Sequence, residues 1–128
     1  MSHSIKLSSE DITQYREQFS QQNQKEALYA LDVIEAVGGD VTIAANKLAS
    51  KYGIEVHKSV NILEELAKKL RNSICDEEFI DKVIAGAINV AVGSLCATGQ
   101  IPEALAAPLV IYLAKKGIQK WCKSNNET

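Results

Sequence analysis

The sequence predicts an all-α fold, a compact helical bundle of five to six helices ending in an antiparallel helical hairpin. Three observations carry that expectation. Apolar residues recur at spacings of three and four over most of the chain. No stretch alternates with the period of two that a half-buried strand requires. Glycine, proline and short capping side chains punctuate the apolar runs where helices stop and start. With 46% hydrophobic and 23% charged residues among 128, the composition is that of a folded protein rather than a disordered one. A chain of this length buries roughly two thirds of its unfolded surface in one core. The expected organisation is one domain over 1–128. It comprises a capped helix and polar segment over 1–25, a helix-turn-helix-like part over 26–75, a C-terminal hairpin over 76–123 and a polar tail over 124–128.

Ser8 and Asp11 have the S-x-x-D spacing of a capping box, and Ile12, Tyr15 and Phe19 follow at helical intervals. The polar stretch from Ser20 to Lys25 reads as a break. A second helix from Glu26 to Val37 buries Leu28, Leu31 and Ile34, and Gly38-Gly39 stops it in the left-handed conformation that glycine adopts without a Cβ clash. Asp40 caps a third helix, with Val41, Ala44, Ala45, Leu48 and Tyr52 on its apolar side and Gly53 at its end. A fourth helix is expected from about Val56 to Ile74. Its buried stripe is Val56, Val60, Leu63, Ala67, Leu70 and Ile74, opposite a solvated face where Glu64 meets Lys68 and Glu65 meets Lys69.

Asp76-Glu77-Glu78 places a cap and two carboxylates at the positive end of a fifth helix, expected to run to about Ala97 and to be apolar nearly all round. Gly86 and Gly93, seven residues apart, share a face and are expected to let another helix approach closely, as is Gly117. Gly99 ends the helix. Pro108 is expected to open the last helix, to Cys122, because proline inside a helix removes a hydrogen bond. Val110, Leu113, Ala114, Gly117, Ile118 and Trp121 form its stripe. Val83 to Pro102 carries no charge, and roughly 20 apolar residues suffice for a membrane span. Asn89, Ser94, Thr98, Gln100 and the Ala and Gly content favour a buried hairpin over a membrane one.

The net charge of −2 attracts neither nucleic acid nor membrane as a whole. Nothing from Met1 to Leu7 reads as a signal peptide. Cys75, Cys96 and Cys122 are odd in number, far apart and without a C-x-x-C pair, which points to reduced thiols in a cytoplasm rather than a disulfide or a zinc site. No phosphate, dinucleotide or zinc-protease motif is present, so no catalytic, cofactor or metal residue is assigned. Cys75 and His57 read as incidental rather than reactive. Lys115, Lys116, Lys120 and Lys123 beside Trp121 suit the negative end of a helix.

One local motif bears on function. Gly39-Asp40-Val41-Thr42-Ile43-Ala44-Ala45-Asn46-Lys47-Leu48 resembles the G-N-x-x-x-A-A-x-x-L entry of Fis-type DNA-binding regulators. Leu48-Ala49-Ser50-Lys51-Tyr52-Gly53-Ile54 resembles the L-A-x-x-x-G-I turn of bacterial repressors. That resemblance implies that His57, Lys58 and Asn61 face base edges in the major groove. Against it, Glu55, Glu64 and Glu65 stand where phosphates would lie, and the local charge is not strongly basic.

A second resemblance spans residues 26 to 123. Asn72-Ser73-Ile74-Cys75-Asp76-Glu77-Glu78, the stretch from Ile101-Pro102 through Pro108-Leu109-Val110-Ile111-Tyr112, and Lys116-Gly117-Ile118-Gln119-Lys120-Trp121-Cys122 are similar to small helical proteins of cyanobacterial type. It implies a helical module and brings no activity with it. The leading expectation is a non-catalytic protein that contacts a protein partner or a second copy of itself as a homodimer. A helix-turn-helix regulator ranks second, an enzyme third, and a membrane partner is disfavoured.

Overall fold

The structure, a computed structural model, describes residues 5–54 and 61–124. Among them nine helices follow in order: α1 (Ser9–Gln21), α2 (Lys25–Ala36), α3 (Val41–Lys51), α4 (Ile62–Lys69), α5 (Arg71–Ile74), α6 (Glu77–Ile84), α7 (Ile88–Cys96), α8 (Glu103–Lys116) and α9 (Ile118–Ser124). The count exceeds the expected five to six because three expected helices each break once, at Leu70, Gly86 and Gly117. Besides the helices, the described residues hold one isolated antiparallel bridge, Lys6 to Asp40.

The start signals work as their chemistry dictates. Ser8 Oγ accepts the Asp11 N–H and Asp11 Oδ2 accepts the Ser8 N–H, both at 3.1 Å, closing the capping box of α1. Asp40 accepts the Ile43 N–H at 3.0 Å, and Asp76 accepts those of Glu78 and Phe79. The chain does break between α1 and α2, where Asn23 takes φ +54°. Ahead of α1, Leu7 N–H donates to Gly39 O and Val41 N–H to Ile5 O, so this short strap lies across the α2–α3 corner.

Three helices stop in the same way. After α2, Gly38 N–H donates to Glu35 O and Gly39 N–H to Ile34 O; after α3, Gly53 and Ile54 donate to Ser50 and Ala49. After α6, Gly86 and Ala87 donate to Val83 and Lys82. Each is a Schellman closure with the glycine at positive φ. The last of them divides the expected fifth helix, and with it the uncharged run. Among the described residues no helix is long and apolar enough to cross a membrane.

The new start at α7 is held by side chains from outside it. Gln18 Oε1 accepts the Asn89 N–H, Asn89 Nδ2 donates to Gln18 O, and Gln24 Nε2 donates to Asn89 O, at 2.9–3.0 Å. The fourth expected helix is interrupted at Leu70, whose φ −102° and ψ 17° separate α4 from α5. Its proposed first turn, with Val56 and Val60, lies outside the described residues. Leu63, Ala67, Leu70 and Ile74 are buried in line with the spacing.

The centre of the core is α8 rather than the expected fifth helix. Every residue from Ala104 to Leu113 is buried, and α8 packs on α2, α3, α4, α6, α7 and α9. Pro108 does not open this helix but sits in its second turn. Pro102 caps the helix instead, its carbonyl accepting the N–H groups of Leu105 and Ala106. A proline inside a helix costs about 3 kcal/mol, and here it is buried with the rest of a helix that packs on six others. Tyr52, expected on the apolar side of the third helix, is its C-cap and 40% exposed.

The fold also overturns the expectation of three reduced thiols. Cys75, between α5 and α6, and Cys122, in α9, form a disulfide with Cα atoms 5.7 Å apart, while Cys96 is free. The two are 47 residues apart, and the packing of α6 on α9 brings them together.

Candidate functional site

Of the residues that the helix-turn-helix resemblance selects, His57 and Lys58 lie outside the described residues. Asn61 is the N-cap of α4. Its Oδ1 accepts the Leu63 and Glu64 N–H groups at 2.9 and 3.3 Å, and its Nδ2 donates to Tyr112 Oη at 3.4 Å. The side chain is therefore engaged within the bundle.

Beyond Asn61 is the densest polar cluster among the described residues. Glu64 turns inward instead of toward Lys68. Its carboxylate accepts Tyr112 O–H at 2.6 Å, Lys116 Nζ at 2.9 Å and Trp121 Nε1–H at 2.9 Å. Burial alone pushes the Glu64 carboxyl up, but the hydrogen bonds from Trp121, Tyr112 and Lys116 outweigh it and hold the group below its ordinary value. The same contact raises Lys116, and burial followed by the Glu64 bond raises the Tyr112 hydroxyl. Three elements thus meet on one ionised carboxylate with every partner a donor. Such an arrangement fixes α4, α8 and α9 relative to one another. Among the described residues no three His, Cys, Asp or Glu side chains converge as metal ligands would.

A different surface, on α2 and the end of α3, carries exposed aromatic and aliphatic side chains. Tyr29 on α2 and Tyr52 after α3 are each 40% exposed. Lys51 Nζ lies 4.4 Å from the centroid of the Tyr29 ring and donates to its hydroxyl at 3.1 Å, and Tyr52 O–H donates to Glu26 Oε1 at 3.3 Å. Ile43, 46% exposed, lies on the α3 stripe that continues through Lys47 to Lys51. Two aromatic rings are thereby held at a surface by charged neighbours.

The glycines chosen as helix contacts have other placements. Gly86 is the Schellman residue after α6, at φ +82°, and a Cβ there would meet nothing within 4 Å. At Gly93 a Cβ would meet Gln24 Nε2 at 3.8 Å, toward the α1–α2 connection rather than α8. Gly117, at φ +99°, parts α8 from α9, and its nearest neighbour would be Lys120 Cβ at 3.9 Å. Gly86 and Gly117 thus answer to backbone geometry at helix ends, whereas Gly93 lies inside α7, where a Cβ would meet no backbone of another helix within 4 Å. Of the terminal lysines, Lys115 pairs with Asp11 at 3.0 Å and Lys116 with Glu64, while Lys120 and Lys123 border a surface cavity with Cys75 and Cys122.

Sequence reasoning passed over Tyr112, Glu64, Gln18 and Glu103. Tyr112 receives no role from the sequence, and Glu64 is expected on a solvated face with Lys68. The signal for Glu64 was available: Trp121 and Tyr112 each carry one polar atom that must find a partner when their rings are buried. Comparison with known proteins finds no matching family model, no matching curated protein and no matching solved structure.

Proposed function

We propose that this chain is a non-catalytic protein–protein contact module that pairs with a second copy of itself through the α2–α3 face. The observation that carries the reading is the pair of exposed tyrosines, Tyr29 and Tyr52, orientated by Lys51 and Glu26. Tyrosine contributes large contact area at low entropic cost and is enriched at the centres of interfaces. In the same reading α7 and α8, joined through residues 97–102, act as an antiparallel hairpin filling the core, and α2 with α3 forms the outward layer. The compartment we assign is the cytoplasm, where a disulfide is transient and redox-responsive rather than permanent.

The test is hydrodynamic mass against protein concentration, for the wild type and for Tyr29→Ala/Tyr52→Ala. The expected result is a concentration-dependent dimer that the double variant loses while keeping its helical circular dichroism. A monomer at every concentration overturns the reading. A saturable, salt-dependent DNA shift by that monomer would instead support the helix-turn-helix regulator.

A further inference from the structure

We propose that the Cys75–Cys122 disulfide is a thiol-exchange site through which a dithiol reductant frees α9 from the bundle. Its basis is independent of the dimer reading. Both cysteines are half-buried and border a surface cavity of about 600 Å³, with Ile80, Gln119, Lys120 and Lys123 completing its lining. The bond is thus approachable in the folded protein, unlike a disulfide enclosed in the core. The attacking species is a thiolate, an anion, and Lys120 and Lys123 place two cations on the cavity's wall. Asp76, which follows Cys75, has its carboxylate engaged in capping α6.

The exchange balances in two steps. The reductant thiolate attacks one sulfur of the pair, forming a mixed disulfide and expelling the other cysteine as a thiolate, which takes a proton. The second thiol of the reductant then displaces the first cysteine. The reductant ends as a disulfide, Cys75 and Cys122 as thiols, and two electrons and two protons have passed to the protein. Cys96 does not compete, because burial, then Glu103 and Glu26, push its thiol up to about 11.

The structural consequence follows from what the bond adds to a helix of seven residues at the edge of the bundle. The helix is separated from α8 by Gly117 at φ +99°. It buries Ile118 and Trp121, and Trp121 donates to Glu64. The covalent bond closes a 47-residue separation onto that short helix. Once the bond is cut, α9 loses its covalent tie to the α5–α6 turn and is held by noncovalent contacts alone, among them its packing on α6 and α8 and the Trp121–Glu64 hydrogen bond.

Trp121 is the chain's single tryptophan and reports the release directly. The experiment titrates the oxidised full-length protein with dithiothreitol in native buffer, following Trp121 emission, reactive thiols and far-ultraviolet circular dichroism. The expected result is a gain of two reactive thiols, a red shift of the emission and retention of most helical signal, all reversed by glutathione disulfide. Cys75→Ser/Cys122→Ser should emit like the reduced protein and ignore the reductant. Should that variant not fold, the wild-type titration decides by itself. Three results overturn the proposal: reduction only after the helices have melted, reduction with unchanged emission, or thiols that no mild oxidant joins.

Discussion

The carboxylate of Glu103, the first residue of α8, accepts the backbone N–H of Ala27 at 3.0 Å and that of Glu26 at 2.9 Å. The N-terminus of α2 is thus capped from 76 residues further along the chain, since its own N-cap, Gln24, makes no side-chain capping bond. Glu103→Ala should lower stability by about 0.5–2 kcal/mol, the range for loss of a capping side chain. Urea denaturation should show an earlier midpoint and an unchanged slope. A midpoint equal to that of the wild type would mean that water caps α2 equally well.

Gly38 and Gly39 offer a paired test within one turn. Both have positive φ, but a Cβ on Gly38 would enter open space, whereas one on Gly39 would lie 2.5 Å from Leu7 O. Gly38→Ala should cost about 1–2 kcal/mol, the left-handed penalty alone. Gly39→Ala should cost clearly more, because the strap bond from Leu7 to Gly39 must move. Thermal unfolding of the two variants compares them, and equal losses would disprove the strap contact.

Gly93 lies within α7 with ordinary helical backbone and room for a methyl group beside Gln24. Gly93→Ala should therefore raise stability by about 0.5–1 kcal/mol, through helix propensity and a less flexible unfolded chain. Destabilisation in chemical denaturation would show that the helix packs more closely there than the 3.8 Å separation indicates.

Glu64 makes stability depend on acid. Its folded carboxyl titrates below the ordinary value of 4.5, so the folded protein resists protonating it. The stability this supplies is present above the unfolded pKa and is lost as pH falls through the folded one. Glu64→Gln should be less stable than wild type by about 1.5–3 kcal/mol at neutral pH, as for hydrogen bonds to a charged group. The gap should close as both are titrated to acid. Asp11, also lowered against the pull of burial by Lys115 and Ser8, remains in both proteins and cancels in the difference. A gap that persists undiminished at low pH would assign the loss to packing instead of charge.

The features legible in the sequence were those whose physics is local. Ser8 with Asp11, Asp40 and Asp76 each bond amides within three residues, so spacing alone locates them. Features that depend on a partner far along the chain were not. Gly86 and Gly93 present the same residue type on similar apolar flanks, yet one ends a helix and the other sits inside one. What distinguishes them is Gln18, whose side chain bonds Gly86 O and Asn89 N–H from 68 and 71 residues away. Pro108 was misplaced for a related reason: local propensity forbids it a helix interior, and the burial of α8 on every side overrides that preference. Cys75 and Cys122 illustrate the same limit, as does the inward turn of Glu64.

The position of α8 along the chain has a consequence for biosynthesis. A nascent chain emerges N-terminal end first, and α1, α2 and α3 with their strap are complete once Lys51 has left the ribosome. The inner faces of α2 and α3, with Ala30, Leu31, Ala44 and Leu48, are fully buried only in the presence of α8, whose first residue is Glu103. Throughout that interval a growing apolar surface stands open, the kind of surface that chaperones engage. Completion of the core therefore awaits α8, and a polypeptide ending before residue 103 is expected to leave exposed the faces of α2 and α3 that this helix covers.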